Sequence, residues 1–330
     1  MKKEVCFIMA VGLLTLCSAC RGTEKFQNVV NVHNQIVPFN PEGILCSSSA
    51  RLSVMGDYLI IQDSRDQGKL YHLLDKRYLQ YLCSTGDKGQ GPGELSDAWC
   101  PMYDEARHKF YVPDPNFKKI FSFDIDSVMK DPDYLPTVKQ EMVEGENRRD
   151  PISAIFVNDT LTYGKVADFY TGSKYRMISM KWNLQTGQMW LNEHHQGRRT
   201  YGNVAYSPSH NLVVESDGAY DLLTLMDGDM NLMRYIKGPH WSEERDKLYH
   251  FGDVAFYEDY IIAEYDGTLW ADANLPRICH VFDIDGNYIK TLDFDYNINS
   301  ISVDEENARL YITFNDEIQF GYLELSDLLP

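Results

Sequence analysis

A pair of short strand-like runs recurs six times along this chain, and that recurrence decides what it can fold into. The first run of each pair is hydrophobic and follows a turn; its copies begin at Tyr58, Phe110, Leu161, Leu212, Tyr260 and Leu310, 48 to 52 residues apart. The second run ends on a polar residue, over 70–75, 120–124, 177–183, 222–227, 278–283 and 320–324. Self-similarity at such a period marks a repeat architecture, in which each unit buries its faces only against its neighbours.

Turn chemistry fills in each unit. Gly56-Asp57, Asn158-Asp159 and Glu258-Asp259 sit where a first hairpin would turn, and Thr186-Gly187, Asp227-Gly228-Asp229 and Asp285-Gly286-Asn287 where a third strand would enter a fourth. The last of these also looks like the start of a calcium loop, but it lacks the later spacing and the bidentate Glu, so a hairpin turn explains it. Strand patterning is aromatic and β-branched, and only 76–81 and 242–248 read as short helical candidates. The expected fold is therefore all-β: a six-bladed β-propeller of four-stranded antiparallel blades. The last unit, 298–325, has room for three strands, so a lone N-terminal strand within 29–37 is expected to complete the last blade and close the ring.

The N-terminus reads as a targeting segment. Lys2 and Lys3 precede an apolar core over 7–16, and Ser18-Ala19-Cys20 is a small-residue cleavage site followed by cysteine. This resembles a bacterial lipoprotein signal, which implies a signal peptide over 1–19, a lipid on Cys20 and a tether over 20–28 before a propeller domain over 29–330. Cys17 stands where an aliphatic residue is usual. The expected location is the cell envelope, on a membrane and specifically the outer one, as a monomer.

A formal net charge of −18 argues against nucleic-acid binding, because nothing offsets phosphate repulsion. The four cysteines outside the leader, Cys46, Cys83, Cys100 and Cys279, show no C-x-x-C spacing. Cys83 and Cys100 flank one loop, but are expected on outermost and innermost strands of neighbouring blades, about 14 Å apart, too far for a bridge.

That loop, 86–95, packs four glycines and a proline into ten residues and reads as an ordered crossover between blades. Its Gly-x-Gly-Pro-Gly-Glu core at 89–94 resembles the TolB-like six-bladed propeller lipoproteins of gut-type anaerobes. The resemblance implies the fold and an envelope location; it carries over no catalytic residue.

In a propeller the crossovers emerge on one face around the axis. Here they span roughly 39–49, 84–97, 140–150, 192–201, 237–251 and 295–297. The rim they form offers Glu94, Arg149, Arg198, Tyr201, Trp241 and His250 as candidate ligand-binding residues, with arginine forks for carboxylate and aromatic faces for sugar. The plainer alternative is that these loops are polar because they are wet. Arg51, Trp99, Ser153, Asn203 and Asp253 are expected at the channel mouth, and Glu94, Asn203 and Asp253 are the candidates to hold a Ca²⁺. His194 and His195 are adjacent and would face opposite ways on a strand, which disfavours a shared ion.

Among functions, the residues favour a binding or interaction module for a glycan, peptide or partner envelope protein. The alternative is a hydrolase or lyase acting on a sugar or lactone with a metal or carboxylate pair at the axis. A structural role within an envelope complex is a third.

Overall fold

The computed structural model describes residues 26–66, 68–131, 133–142, 148–192, 202–244, 246–272 and 275–329. Among these, each run of four strands forms one antiparallel sheet. Blade 1 is Arg51–Met55, Tyr58–Gln62, Lys69–Asp75 and Gln80–Asp87; blade 2 is Met102–Asp104, Lys109–Asp114, Lys119–Asp124 and Thr137–Glu141. Blade 3 is Arg149–Asn158, Leu161–Thr171, Lys174–Trp182 and Met189–Leu191; blade 4 is Val204–Ser207, Leu212–Asp217, Leu222–Asp227 and Leu232–Lys237. Blade 5 begins Phe251–Tyr257, Tyr260–Tyr265, Ile278–Asp283 and Tyr288–Asp293, and blade 6 holds Ile298–Asp304, Arg309–Phe314 and Phe320–Glu324. Among the described residues helix is confined to Ile125–Val128 and a few single turns, and those of the two helical candidates form none.

The middle strands of each blade are buried on both faces, because each sheet is covered by a neighbour on either side. The apolar clusters follow that arrangement. One joins blades 1 and 2 through Ile60, Leu73, Phe110 and Phe123, and others join blades 2 and 3, 3 and 4, 4 and 5, and 5 and 6. The sixth, with Leu52, Ile61, Tyr311 and Phe320, joins blade 6 back to blade 1. Six junctions for six sheets describe a closed ring: a six-bladed β-propeller.

Closure uses the N-terminal segment, but as two strands where one is expected within 29–37. Val37–Phe39 pairs antiparallel with Phe320–Glu324 and gives blade 6 its fourth strand. Val29–Asn31 instead lies parallel along the outer edge of blade 5, as a fifth strand. Phe26, expected in a free tether, packs on His280 and Tyr288 with ring centroids 4.8 and 4.6 Å apart.

Gly321 admits the closing strand, since a Cβ there would lie 2.9 Å from Ile36 Cγ2. Gly321→Val is therefore expected to destabilise the ring by about 1–3 kcal/mol, the usual cost of overpacking. Urea unfolding checks this, and an unchanged midpoint would show that the strand does not seat here.

Candidate functional site

The crossover after blade 1 shows why its glycines are needed. Gly86 and Gly93 have φ of +77° and +81°, a region that disfavours side chains. Glu94 reaches back over the loop, so that Gly91 N–H donates to its Oε2 at 2.6 Å, and a Cβ at Gly89 would overlap the carboxylate. Leu95 is fully buried and its N–H donates to the Asp87 carbonyl at 2.8 Å. Glu94 is thus a staple for its own loop, and it does not line the axial mouth.

Other rim candidates are also engaged elsewhere. Arg149 Nε donates to Asp168 Oδ1 at 3.1 Å, and Arg176 meets the other oxygen of the same carboxylate at 3.0 Å. Arg148 is likewise tied to Asp150, so neither described arginine of this crossover offers an unpaired cation. His250, expected on a wet loop, is buried: its Nε2 meets Asp246 Oδ1 at 3.0 Å, and desolvation holds its pKa below the usual imidazole value. Trp241 is half-buried under the Lys237 ammonium, 4.8 Å from the ring centre. Arg198, Tyr201, His194, His195 and Cys20 lie outside the described residues.

What the ring does bring together is the start of its inner strands. A cavity of about 490 Å³ at the crossover end of the axis is lined from all six blades, by Arg51, Trp99, Ser153, Asn203, Asp253 and Ser300 among others. The five mouth residues expected from the repeat all line it. A second cavity of about 530 Å³ continues the axis toward the opposite face, and the two share Ser53, Cys100, Ala154 and Ile155 at a waist.

Asp253 is the hub of the mouth. One carboxylate oxygen accepts from Arg51 Nη2 on blade 1 and the other from Asn203 Nδ2 on blade 4. Its backbone N–H donates to Glu264 Oε2 at 2.9 Å, an approach that Gly252 permits because a Cβ there would sit 2.7 Å from that oxygen. Asn203 is fixed from behind, its N–H donating to Ser216 Oγ at 2.8 Å. Opposite, Trp99 is held by Tyr71 OH donating to its carbonyl at 2.5 Å and by its indole N–H donating to Ser96 Oγ at 3.2 Å.

Electrostatics follow from these contacts. Asp253 raises the Arg51 pKa further, while the Arg51 side chain remains 42% accessible through the mouth. Burial, reinforced by Asp253, raises the Glu264 pKa to about 8. Burial likewise raises the Cys100 thiol, leaving it a poor nucleophile. The residues suit a divalent cation poorly. Both Asp253 oxygens already accept hydrogen bonds, a guanidinium occupies the position beside them, and Glu94 is elsewhere. Among the described residues no three His, Cys, Asp or Glu side chains are grouped to hold a metal ion, and all four cysteines there are free thiols.

Gln62 and Cys100 line the mouth and Glu264 backs it, none of them among the residues expected there. Glu264 carried a signal: it is the one acid within the apolar run 260–265. Gln62 had none, since its Nε2 donates at 2.5 Å to the Ala98 carbonyl across a blade boundary.

No family model matches the chain, and no curated protein does. Solved structures do resemble it. A member of the DUF4221 family from Bacteroides vulgatus superposes with a TM-score of 0.54 at 13% identity, over 87% of this chain and 94% of that one. A luciferin-regenerating enzyme gives 0.55 at 10% identity, over 87% and 93%. The WD40 repeats of RRP9 give 0.52 at 12% identity, over 83% and 78%. Likeness at these identities speaks to fold alone, and it agrees with the blade count: the chain is a six-bladed β-propeller.

Proposed function

We propose that this protein is a lipid-anchored envelope module that binds a ligand at the axial mouth on its crossover face. The observation that carries this reading is the convergence of Arg51, Asn203 and Asp253, from three different blades, in one accessible cavity. Concave sites with a few convergent polar groups are where small ligands bind. The lipoprotein-like leader supports the envelope location, with Cys20 carrying the lipid. A hydrolase or lyase is the weaker reading. Asp253 is locked by two donors, Glu264 is sealed behind it, and the thiol is of the unreactive kind.

Thermal shift with glycans, peptides and divalent ions tests the reading, using the wild type and a Ser153→Trp variant that fills the mouth. A ligand that stabilises the wild type and not the variant supports it. Stabilisation of both proteins alike places the ligand elsewhere. Radiolabelled palmitate incorporated by the wild type and not by Cys20→Ala is the expected result for the anchor.

A further inference from the structure

Taking the axial mouth as the binding site, we infer that its ligand is the end of a neutral, polyhydroxylated chain, a sugar rather than an anion, a cation or a peptide. Arg51 and Asp253 neutralise each other, and Asp97 at the margin has Lys88 Nζ 3.9 Å away. Glu264 does not line the cavity, and its Oε2 is turned to the Asp253 backbone N–H behind the mouth. The cavity therefore holds no surplus of either sign, and a charged ligand would lose its hydration without gaining a counter-charge.

A hydroxyl-rich ligand meets the opposite situation. Asp253 has acceptor capacity left on both oxygens, the accessible Arg51 guanidinium has donors beyond its Nη2 contact, and the Ser153 hydroxyl makes no hydrogen bond among the described residues. Donors and acceptors thus alternate over a short distance. They are already fixed and partly desolvated, so ligand hydroxyls replace mouth water with charge-assisted hydrogen bonds and little ordering cost. Trp99 and Ile152 supply the apolar wall that the C–H face of a sugar ring requires. A volume of about 490 Å³, ringed by the inner strands of five blades and by the segment that leads into blade 2, is a well that takes a chain end. It is not a groove along which an extended peptide would lie.

Isothermal titration of the full-length protein in detergent micelles tests this with three probe sets: neutral hexose oligosaccharides of several linkages, oligosaccharides of the same length ending in a uronic acid, and terminally blocked peptides. At least one neutral oligosaccharide is expected to bind, with its uronic-acid counterpart at least about tenfold weaker. Trp99→Leu and Asp253→Asn are each expected to weaken it by about tenfold or more. Should Asp253→Asn fail to fold, Trp99→Leu keeps the test, because Trp99 is half-exposed and outside the Asp253 hub. Failure of every neutral oligosaccharide, or tighter binding of uronates or peptides that Ser153→Trp abolishes, overturns the ligand class and leaves the mouth as the site. Binding that Ser153→Trp leaves intact overturns the mouth itself.

Discussion

Replacing Lys165 with methionine is expected to destabilise the protein by about 3–5 kcal/mol, the range for breaking a buried ion pair from one side. Lys165 on blade 3 and Glu215 on blade 4 are 0% and 1% exposed, and the lysine ammonium donates directly to Glu215 Oε1. Asn192 Nδ2 reaches the other carboxylate oxygen at 3.4 Å, too long to replace a cation. Removing the ammonium takes away the cation that faces this buried carboxylate between two blades. Removing both charges, as Lys165→Met with Glu215→Leu, is expected to recover most of the loss, because the pair's attraction largely offset its own desolvation. Urea unfolding of the two variants decides the matter. A single variant that loses less than about 1 kcal/mol, or a double variant no better than the single, would show that the junction of blades 3 and 4 tolerates the bare charge.

The second large effect is a fall in stability as pH rises from the acid range to neutrality. Asp217 and Asp221 flank the loop between the second and third strands of blade 4, both 2% exposed, and burial raises each from 3.8 to about 7. Asp217 Oδ2 has no hydrogen-bond partner among the described residues. A carboxyl whose folded pKa lies above its unfolded value keeps its proton longer in the folded state. The folded chain therefore holds the extra proton between those two pH values, and stability declines as pH climbs through that window. Buried His72, His250 and His280, whose pKa values are lowered, act the other way, but only below their ordinary value of 6.5. Between about pH 6.5 and 8 the acids dominate, and each aspartate is expected to lose about 1 kcal/mol. At pH 8 the full penalty is on the order of 4 kcal/mol per aspartate. Asp221→Asn should be more stable than the wild type at pH 8, because an amide oxygen still accepts the His240 N–H and carries no charge. A wild type equally stable at both pH values, or an Asp221→Asn variant weaker at pH 8, contradicts this account.

The ring was legible because its cause is periodic. A strand pair repeating every 50 residues, with turns in phase, leaves few ways to bury both faces of each sheet, and the positions of Arg51, Trp99, Ser153, Asn203 and Asp253 follow from that alone. What they touch does not follow from it. Asn203 and Asp253 were read as partners of a calcium ion, but the cation beside them is Arg51, since nothing in a repeat tells which blade sends a long side chain across the axis. Glu94 departs from its expected place for a related reason: its partners are the bare backbone of Gly89 and Gly91, visible only once the loop is folded. His250 lies in a long polar segment that folds back, so that Asp246 and Asp221 enclose it. The strand expected within 29–37 divides in two, because the exposed edge of blade 5 takes Val29–Asn31 as a parallel partner, and the repeat does not announce that pairing.

Hydrogen–deuterium exchange with a bound neutral oligosaccharide tests the central claim most directly, since it reports which strands the ligand covers. Protection is expected at the first residues of the inner strands of blades 1, 3, 4 and 5, around Arg51, Ser153, Asn203 and Asp253, and no change over the outer strand Leu232–Lys237. Protection confined to outer strands or to the turns of the opposite face, with the mouth unchanged, would contradict it.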